Sequence, residues 1–475
     1  MRSPRYRVSV PDGELAASFD AIRAELKVPA AFGEPVLEAA RAAARDWSRP
    51  ATDRTELPFL TLDPAGSTDL DQAMALERAG DGYLVRYAIA DVPAFVAPGG
   101  PIDAAARERG QTLYAPDARS PLHPPLLSED AASLLPGQVR PAFVWTFQLD
   151  AGGVVTATGL ERALVRSREQ CDYATEQAAL DAGRGRPEMV LLLEIGALRR
   201  QVEAKRGGVS LGTPDQEVEH RDGAYHLTLR PPRPIDDANA QLSLMTGIAA
   251  ASMMLDAGTG ILRTMPPPPD QVVARLRRQA RALGLDWPDG LRASAFLRAL
   301  SPDAPHHLAL LHEAGVLFRG AAYTAFDGTP PPEREREQAA IAAPYAHVTA
   351  PLRRLVDRFG LACCAAISVG EPVPDWVRLA LPLLPELMRD SDRRAGALDR
   401  ACVDAVEAAL LSGRVGERFD AVVVDRDEKR GGGLVQLIDP PVLARCDGAA
   451  LQLGAAVSAR LIAADVATRT VRFEV

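Results

Sequence analysis

The sequence is short of lysine. Only Lys27, Lys205 and Lys429 stand among 54 basic residues, and the rest are arginines. A GC-rich genome accounts for most of that bias, yet arginine is also the side chain that grips a phosphate through two parallel bonds. Cysteine is scarce as well. Cys171, Cys363, Cys364, Cys402 and Cys446 form no CxxC pair and no Cys/His zinc spacing. That pattern argues against a disulfide scaffold and a zinc finger, and fits reduced core residues of a cytoplasmic protein. No apolar run reaches the length of a membrane span. The opening MRSPRYRVSVPDGE lacks the apolar segment of a secretory signal, so a cytoplasmic protein without membrane contact is expected. Positive charge is not in excess either. The net charge of −9 argues against a surface coated with nucleic acid. It leaves room for a local basic channel, because distribution matters more than the sum.

What is present is apolar content. With 475 residues and 47% hydrophobic residues, the chain can bury a large core in one main domain with one or two smaller ones. Residues 1–54 read as a small helical domain. LAASFDAIRAELK and EPVLEAARAAARDW carry apolar residues at helical spacing, and VPAAFG breaks them into a helix-turn-helix-like pair. From Glu56 the period changes to that of strands. LPFLTLD, GYLVRYAIADV and AFVWTFQLD are rich in β-branched and aromatic residues. A proline-rich loop, YAPDARSPLHPPLLSED, lies between them. Helix is expected over 186–206, strands over 209–230, and a long buried helix over 236–256, where few positions are polar. The remainder to residue 413 completes an α+β domain of mixed sheets and helices. Residues 414–475 are short strands between turn signals, as in a small OB-type barrel.

The chemistry concentrates in TLDPAGSTDLDQAM, Thr61 to Met74. Asp63, Asp69 and Asp71 crowd like charge into a few residues. An extended Asp69–Asp71 places both carboxylates on one face, and the turn Pro64-Ala65-Gly66 can return Asp63 to it. Converging carboxylates need a divalent cation or shifted pKa values, and oxygen-only ligands favour Mg²⁺ or Mn²⁺ over zinc. Such a site suits phosphodiester hydrolysis. The plain alternative is a solvated acidic turn.

The segment resembles the signature of the RNB-family exoribonucleases, of the ribonuclease II and ribonuclease R type. The likeness continues in order along the chain. YAIADVPAFVAPGG, VRSREQCDY, KRGGVSLGTPD, GILRTMPPPPD and LFRGAAY follow one another. YAHVTAPLRRLVDRF is similar to the family's basic signature, and SDRRAGALDRACVDAV to the helix that leads into a C-terminal S1 barrel.

The resemblance implies a hydrolytic 3′→5′ exoribonuclease that threads RNA into a channel and releases nucleoside 5′-monophosphates. It implies Mg²⁺ as cofactor, with Mn²⁺ as a substitute. Asp63, Asp69 and Asp71 match family metal positions, and Asp71 matches the aspartate that holds metal and attacking water. Gln72 stands where the family has a fourth acid, and would be at most an uncharged ligand. Arg353 matches the arginine on the scissile phosphate, and Arg354 would support the neighbouring backbone. Tyr114 and Tyr173 match aromatic positions that stack on bases. Gln241 replaces a glutamate that accepts a ribose hydroxyl. Ser210 and Leu211 stand where relatives place a clamping phenylalanine. Tyr323, Tyr345 and His347 match family positions without an assigned role. The implied partner is the single-stranded 3′ end of RNA, extended to duplex RNA with an overhang because no cold-shock barrel precedes the catalytic domain. A monomer is expected. The alternative, suggested by Gln72 and Gln241, is a catalytically weakened RNA-binding protein on the same scaffold.

Overall fold

The computed structural model describes residues 5–8, 12–209, 215–221, 224–230, 233–301, 304–426, 431–448 and 451–475. Ser210 and Leu211 lie outside them. At its centre is a five-stranded sheet in the order Thr52–Asp53, Val155–Arg166, Val139–Leu149, Gly82–Ala90, Gln72–Ala79. The four long strands run antiparallel, and the short first strand joins parallel to Val155–Arg166.

Alternation along these strands sorts residues by size. Val85, Tyr87, Ile89, Phe143, Trp145 and Phe147 share one face. Tyr87 stands opposite Trp145 and Ile89 opposite Phe143, so large side chains meet across strands. That face is covered by the helices Pro187–Arg206 and Pro234–Ala257. The opposite face carries Ala88, Ala90, Ala142, Val144 and Ala163, and packs against the helix Glu34–Arg45 and the segment around Phe95. The helix Pro234–Ala257 is buried, as its few polar positions predicted, and crosses Pro187–Arg206 closely. A Cβ on Gly196 would stand 2.5 Å from the Cβ of Ala238, so only glycine allows this approach.

The C-terminal strands Arg418–Arg426, Gly433–Leu437, Leu443–Asp447, Thr470–Glu474 and Ala456–Asp465 close into a five-stranded barrel. A 28-residue helix, Leu384–Leu411, leads into it. Leu398, Cys402 and Val406 of that helix share a core with Phe419 and Val423 of the barrel. Leu15, Phe19 and Ile22 of the first helix, Asp12–Glu25, belong to the same core. Ala40 of Glu34–Arg45 instead belongs to the core behind the sheet. The two N-terminal helices thus bury their apolar stripes in different places. The region also holds a strand that a helical reading misses: Arg5–Arg7 pairs with Ala224–Arg230. All five cysteines are free and buried. No helix among the described residues is long and apolar enough to cross a membrane.

Candidate active site

Asp63 ends the short strand Thr61–Asp63, which pairs in parallel with Gln170–Asp172. The chain then turns through Gly66, at φ +83°. Leu70 is fully buried, and its N–H donates to Ser133 Oγ at 2.9 Å. Ser133 Oγ in turn donates to Thr68 O at 2.7 Å. These bonds pin the loop, so Asp69 and Asp71 are placed by backbone rather than by chance. Asp71 stands immediately before the edge strand Gln72–Ala79.

Asp71 is the most enclosed of the three, at 4% exposure. Its Oδ1 accepts from Leu352 N at 2.8 Å, and its Oδ2 lies 3.5 Å from Arg353 Nε. Residues far apart in sequence therefore meet here. Burial pushes the Asp71 carboxyl up to about 8, against the pull of Arg353. Burial likewise raises Asp63 to about 6, and its Oδ2 is buried without a hydrogen-bond partner. Asp69 and Arg353 both act on Asp63 and on Asp71 electrostatically.

Asp69 has found a cation already. Its Oδ1 lies 3.0 Å from Arg119 Nη1. Arg119 Nη2 also reaches Glu129 Oε2 at 2.7 Å and donates to Thr68 Oγ1 at 2.8 Å. Among the described residues no three His, Cys, Asp or Glu side chains are grouped to hold a metal ion. The donor chemistry nevertheless fits a hard divalent cation. Burial makes the Asp63 and Asp71 carboxyls resist ionisation despite Arg353, and Asp63 carries an orphaned oxygen.

Gln72 does not join that set. The Tyr87 hydroxyl donates to its Oε1, and its Nε2 donates to Thr349 O at 2.6 Å. Both ends of the amide are engaged, so its oxygen is not turned to an ion. In the structure the amide ties the aspartate strand to the loop before Arg353.

The guanidinium of Arg353 is partly open, with 46% of the side chain exposed. Arg354 is spent on structure. It makes a two-pronged bond to Asp357, both contacts at 2.9 Å, and Asp357 Oδ1 accepts from Ala350 N at 2.7 Å. The pair shapes the 350–354 loop that aims Arg353. Tyr114 is 52% exposed, on the two-residue strand Leu113–Tyr114 opposite Arg119–Ser120. Tyr173 begins a helix, and its hydroxyl accepts from Asn239 Nδ2 at 2.7 Å. Gln241 is 7% exposed and donates to Glu203 at 2.7 Å, so its bond goes to a neighbouring helix rather than to the aspartates. The Tyr323 hydroxyl lies 2.7 Å from His347 Nδ1, and the Tyr345 ring meets His347 edge-on. Burial, together with Arg354, Arg263 and Arg353, holds the His347 imidazole well below its usual range. Sequence reasoning missed Arg119 and Tyr87. Arg119 sits in a proline-rich loop with no spacing to mark it, and Tyr87 looks like an ordinary strand residue.

Fold and site together define a class: a mixed sheet-and-helix domain with an aspartate–arginine site, joined to an OB-type barrel. The model of the RNB domain matches residues 51–359, and that of the RNase II-type exonuclease C-terminal S1 domain matches residues 417–475. The chain belongs to the RNB family. It is 27% identical over 332 residues to exosome complex exonuclease RRP44 homolog A of Arabidopsis thaliana, covering 66% of this chain and 35% of that protein. It is 27% identical over 418 residues to exoribonuclease 2 of Serratia proteamaculans, covering 83% of this chain and 62% of that one. The chain thus spans less than two thirds of either relative. The fold is similar to that of Mycoplasma genitalium RNase R in complex with ribose-methylated single-stranded RNA. The TM-score is 0.86 at 17% identity, over 97% of this chain and 78% of that one.

Proposed function

We propose that the protein is a divalent-metal-dependent, hydrolytic 3′→5′ exoribonuclease that releases nucleoside 5′-monophosphates. The observation that carries this is the meeting of buried Asp71 with Arg353 beside Asp63 and its unpartnered oxygen. In the reaction, water adds to the terminal phosphorus. The bond from phosphorus to the upstream 3′ oxygen breaks, leaving a 3′ hydroxyl on the shortened RNA and a 5′-phosphate on the released nucleotide. Asp63, Asp69 and Asp71 would hold Mg²⁺, or Mn²⁺ in its place. The ion would supply acidity to the water and charge for the departing oxygen. Arg353 offers a planar fork to the phosphate and balances charge in the transition state. Tyr114 and Tyr173 would stack on bases without regard to their identity, a reading supported for Tyr114 by its half-exposed ring. Arg119 must release Asp69, wholly or in part, for the full set of acids to act.

The substrate proposed is the single-stranded 3′ end of RNA, including the overhang of a duplex. The acting unit is proposed to be a cytoplasmic monomer, with division near residues 54 and 414. The second reading is RNA binding without cleavage, and the locked Gln72 and the Arg119–Asp69 pair favour it. Incubating the protein and an Asp71→Asn variant with 5′-labelled RNA and Mg²⁺ separates the two. Labelled RNA shortened from its 3′ end by the wild type alone supports the enzyme. A wild type that binds RNA and leaves it full length leaves the second reading.

A further inference from the structure

The segment joining the two N-terminal helices, residues 26–33, runs alongside the hairpin that carries Tyr114 and Arg119. A cavity of about 750 Å³ lies between them, lined by Lys27, Pro29 and Phe32 on one side and Leu113, Ala118 and Arg119 on the other. Leu113 and Ala115 of the hairpin share a core with Leu26 and Val28 of the linker. Polar staples around the cavity add direction to that packing. Arg23, at the end of the first helix, forks onto Asp117 at the hairpin tip, at 2.6 and 2.9 Å. Ser120 Oγ donates to Pro29 O at 2.6 Å. Arg109 is buried and joins three segments. It donates to Ala30 O at 2.6 Å, to Ser120 Oγ at 3.1 Å and to Pro121 O at 3.2 Å. The Phe32 ring covers its guanidinium at 3.8 Å.

These staples connect to the reacting centre through backbone. Gly110, at φ +75°, turns the chain out of the helix Pro101–Arg109. Its carbonyl accepts from Leu355 N at 3.0 Å, and Thr112 N donates to Arg353 O at 2.9 Å. Arg119 then reaches Asp69, and Leu352 N reaches Asp71. From residue 23 to Asp71 the path alternates hydrogen bonds or ion pairs with short stretches of backbone.

We propose that Arg23 and the 26–33 linker form a positioning clamp that sets the Tyr114 hairpin beside the aspartates. The clamp would decide how firmly the last nucleotides of the RNA are held. Arg23 and the linker precede the matched RNB region, 51–359, whereas Arg109, Asp117 and Ser120 lie within it. The proposal rests on the exoribonuclease reading for its consequence, though not for its geometry.

The test is a charge swap across the Arg23–Asp117 pair. Arg23→Asp and Asp117→Arg are made singly and together, with Arg23→Lys as the conservative change. Hydrogen exchange of residues 113–120, KM and kcat on short RNA, and the length of the final fragment are measured. Each single variant is expected to raise KM about tenfold, the size of one strong pairwise coupling, with kcat nearly unchanged. Exchange in 113–120 should quicken and the final fragment lengthen. The double swap should restore all of these, and Arg23→Lys should fall between. Single variants with wild-type exchange and KM overturn the clamp. So does a double swap no better than the singles, or loss of thermal stability without change in 113–120. If the wild type cleaves nothing, the enzyme reading fails while exchange and RNA affinity still decide the clamp.

Discussion

At the scale of the residue, Gln72 is where one side chain changes the chemistry. Its amide accepts from Tyr87 and donates to Thr349 O at 2.6 Å. A glutamate there would face the Thr349 carbonyl with an oxygen that cannot donate. Gln72→Glu should therefore cost stability, about 1–3 kcal/mol for the broken bond, and lower kcat. It should not add a metal site. Urea unfolding and Mn²⁺ titration check this, and one extra bound Mn²⁺ with higher activity would refute it. Arg353 is the complementary case. Arg353→Lys keeps the charge and loses the fork, so kcat should fall about a hundredfold while the fold stays intact. Single-turnover cleavage at saturating enzyme measures it. The three aspartates were legible because small polar residues and spacing crowd them together. Gln72 was not, because its partner Thr349 lies 277 residues away. Arg119 carries no sign in sequence of the carboxylates it will meet.

At the scale of the element, two helices on one face of the sheet approach closely. Gly196 faces Ala238, and an added Cβ would come within 2.5 Å of the Ala238 Cβ and 2.6 Å of its Cα. Neither atom can rotate away. Gly196→Ala should therefore cost about 1–3 kcal/mol by pushing the helices apart, more than the gain in helix propensity returns. A urea midpoint lower than wild type is expected, whereas a raised midpoint would show that the helices yield freely. Burial of the long helix was readable from its few polar positions, and the sheet from its alternation. The strand Arg5–Arg7 was not, since its partner Ala224–Arg230 is remote and three residues leave no period to read.

At the scale of the whole molecule, Glu407 sits where three parts meet. It belongs to the helix Leu384–Leu411. Its Oε1 accepts from Gln216 Nε2 at 2.8 Å and from Leu443 N, in the barrel, at 3.3 Å. The barrel itself was legible as five short strands. Its shared core with the first helix was not, because that contact joins opposite ends of the chain. Burial pushes the Glu407 carboxyl up to about 7, against those two hydrogen bonds. In the unfolded chain it titrates near its ordinary value of about 4.3. Between these values the folded protein keeps a proton that the unfolded chain has released. Stability from this group is therefore full below about pH 4 and is lost as pH rises to about 7, by an amount on the order of 3 kcal/mol. Glu407→Gln keeps an oxygen for both donors and removes the titration. Wild-type stability should fall from pH 5 to pH 8 more steeply than that of the variant, and the variant should be the more stable at pH 8. Asp63 and Asp71 shift in the same direction but are present in both proteins, so the difference isolates Glu407. Urea midpoints at the two pH values decide it, and parallel profiles would mean that water reaches the seam between the helix, Gln216 and the barrel.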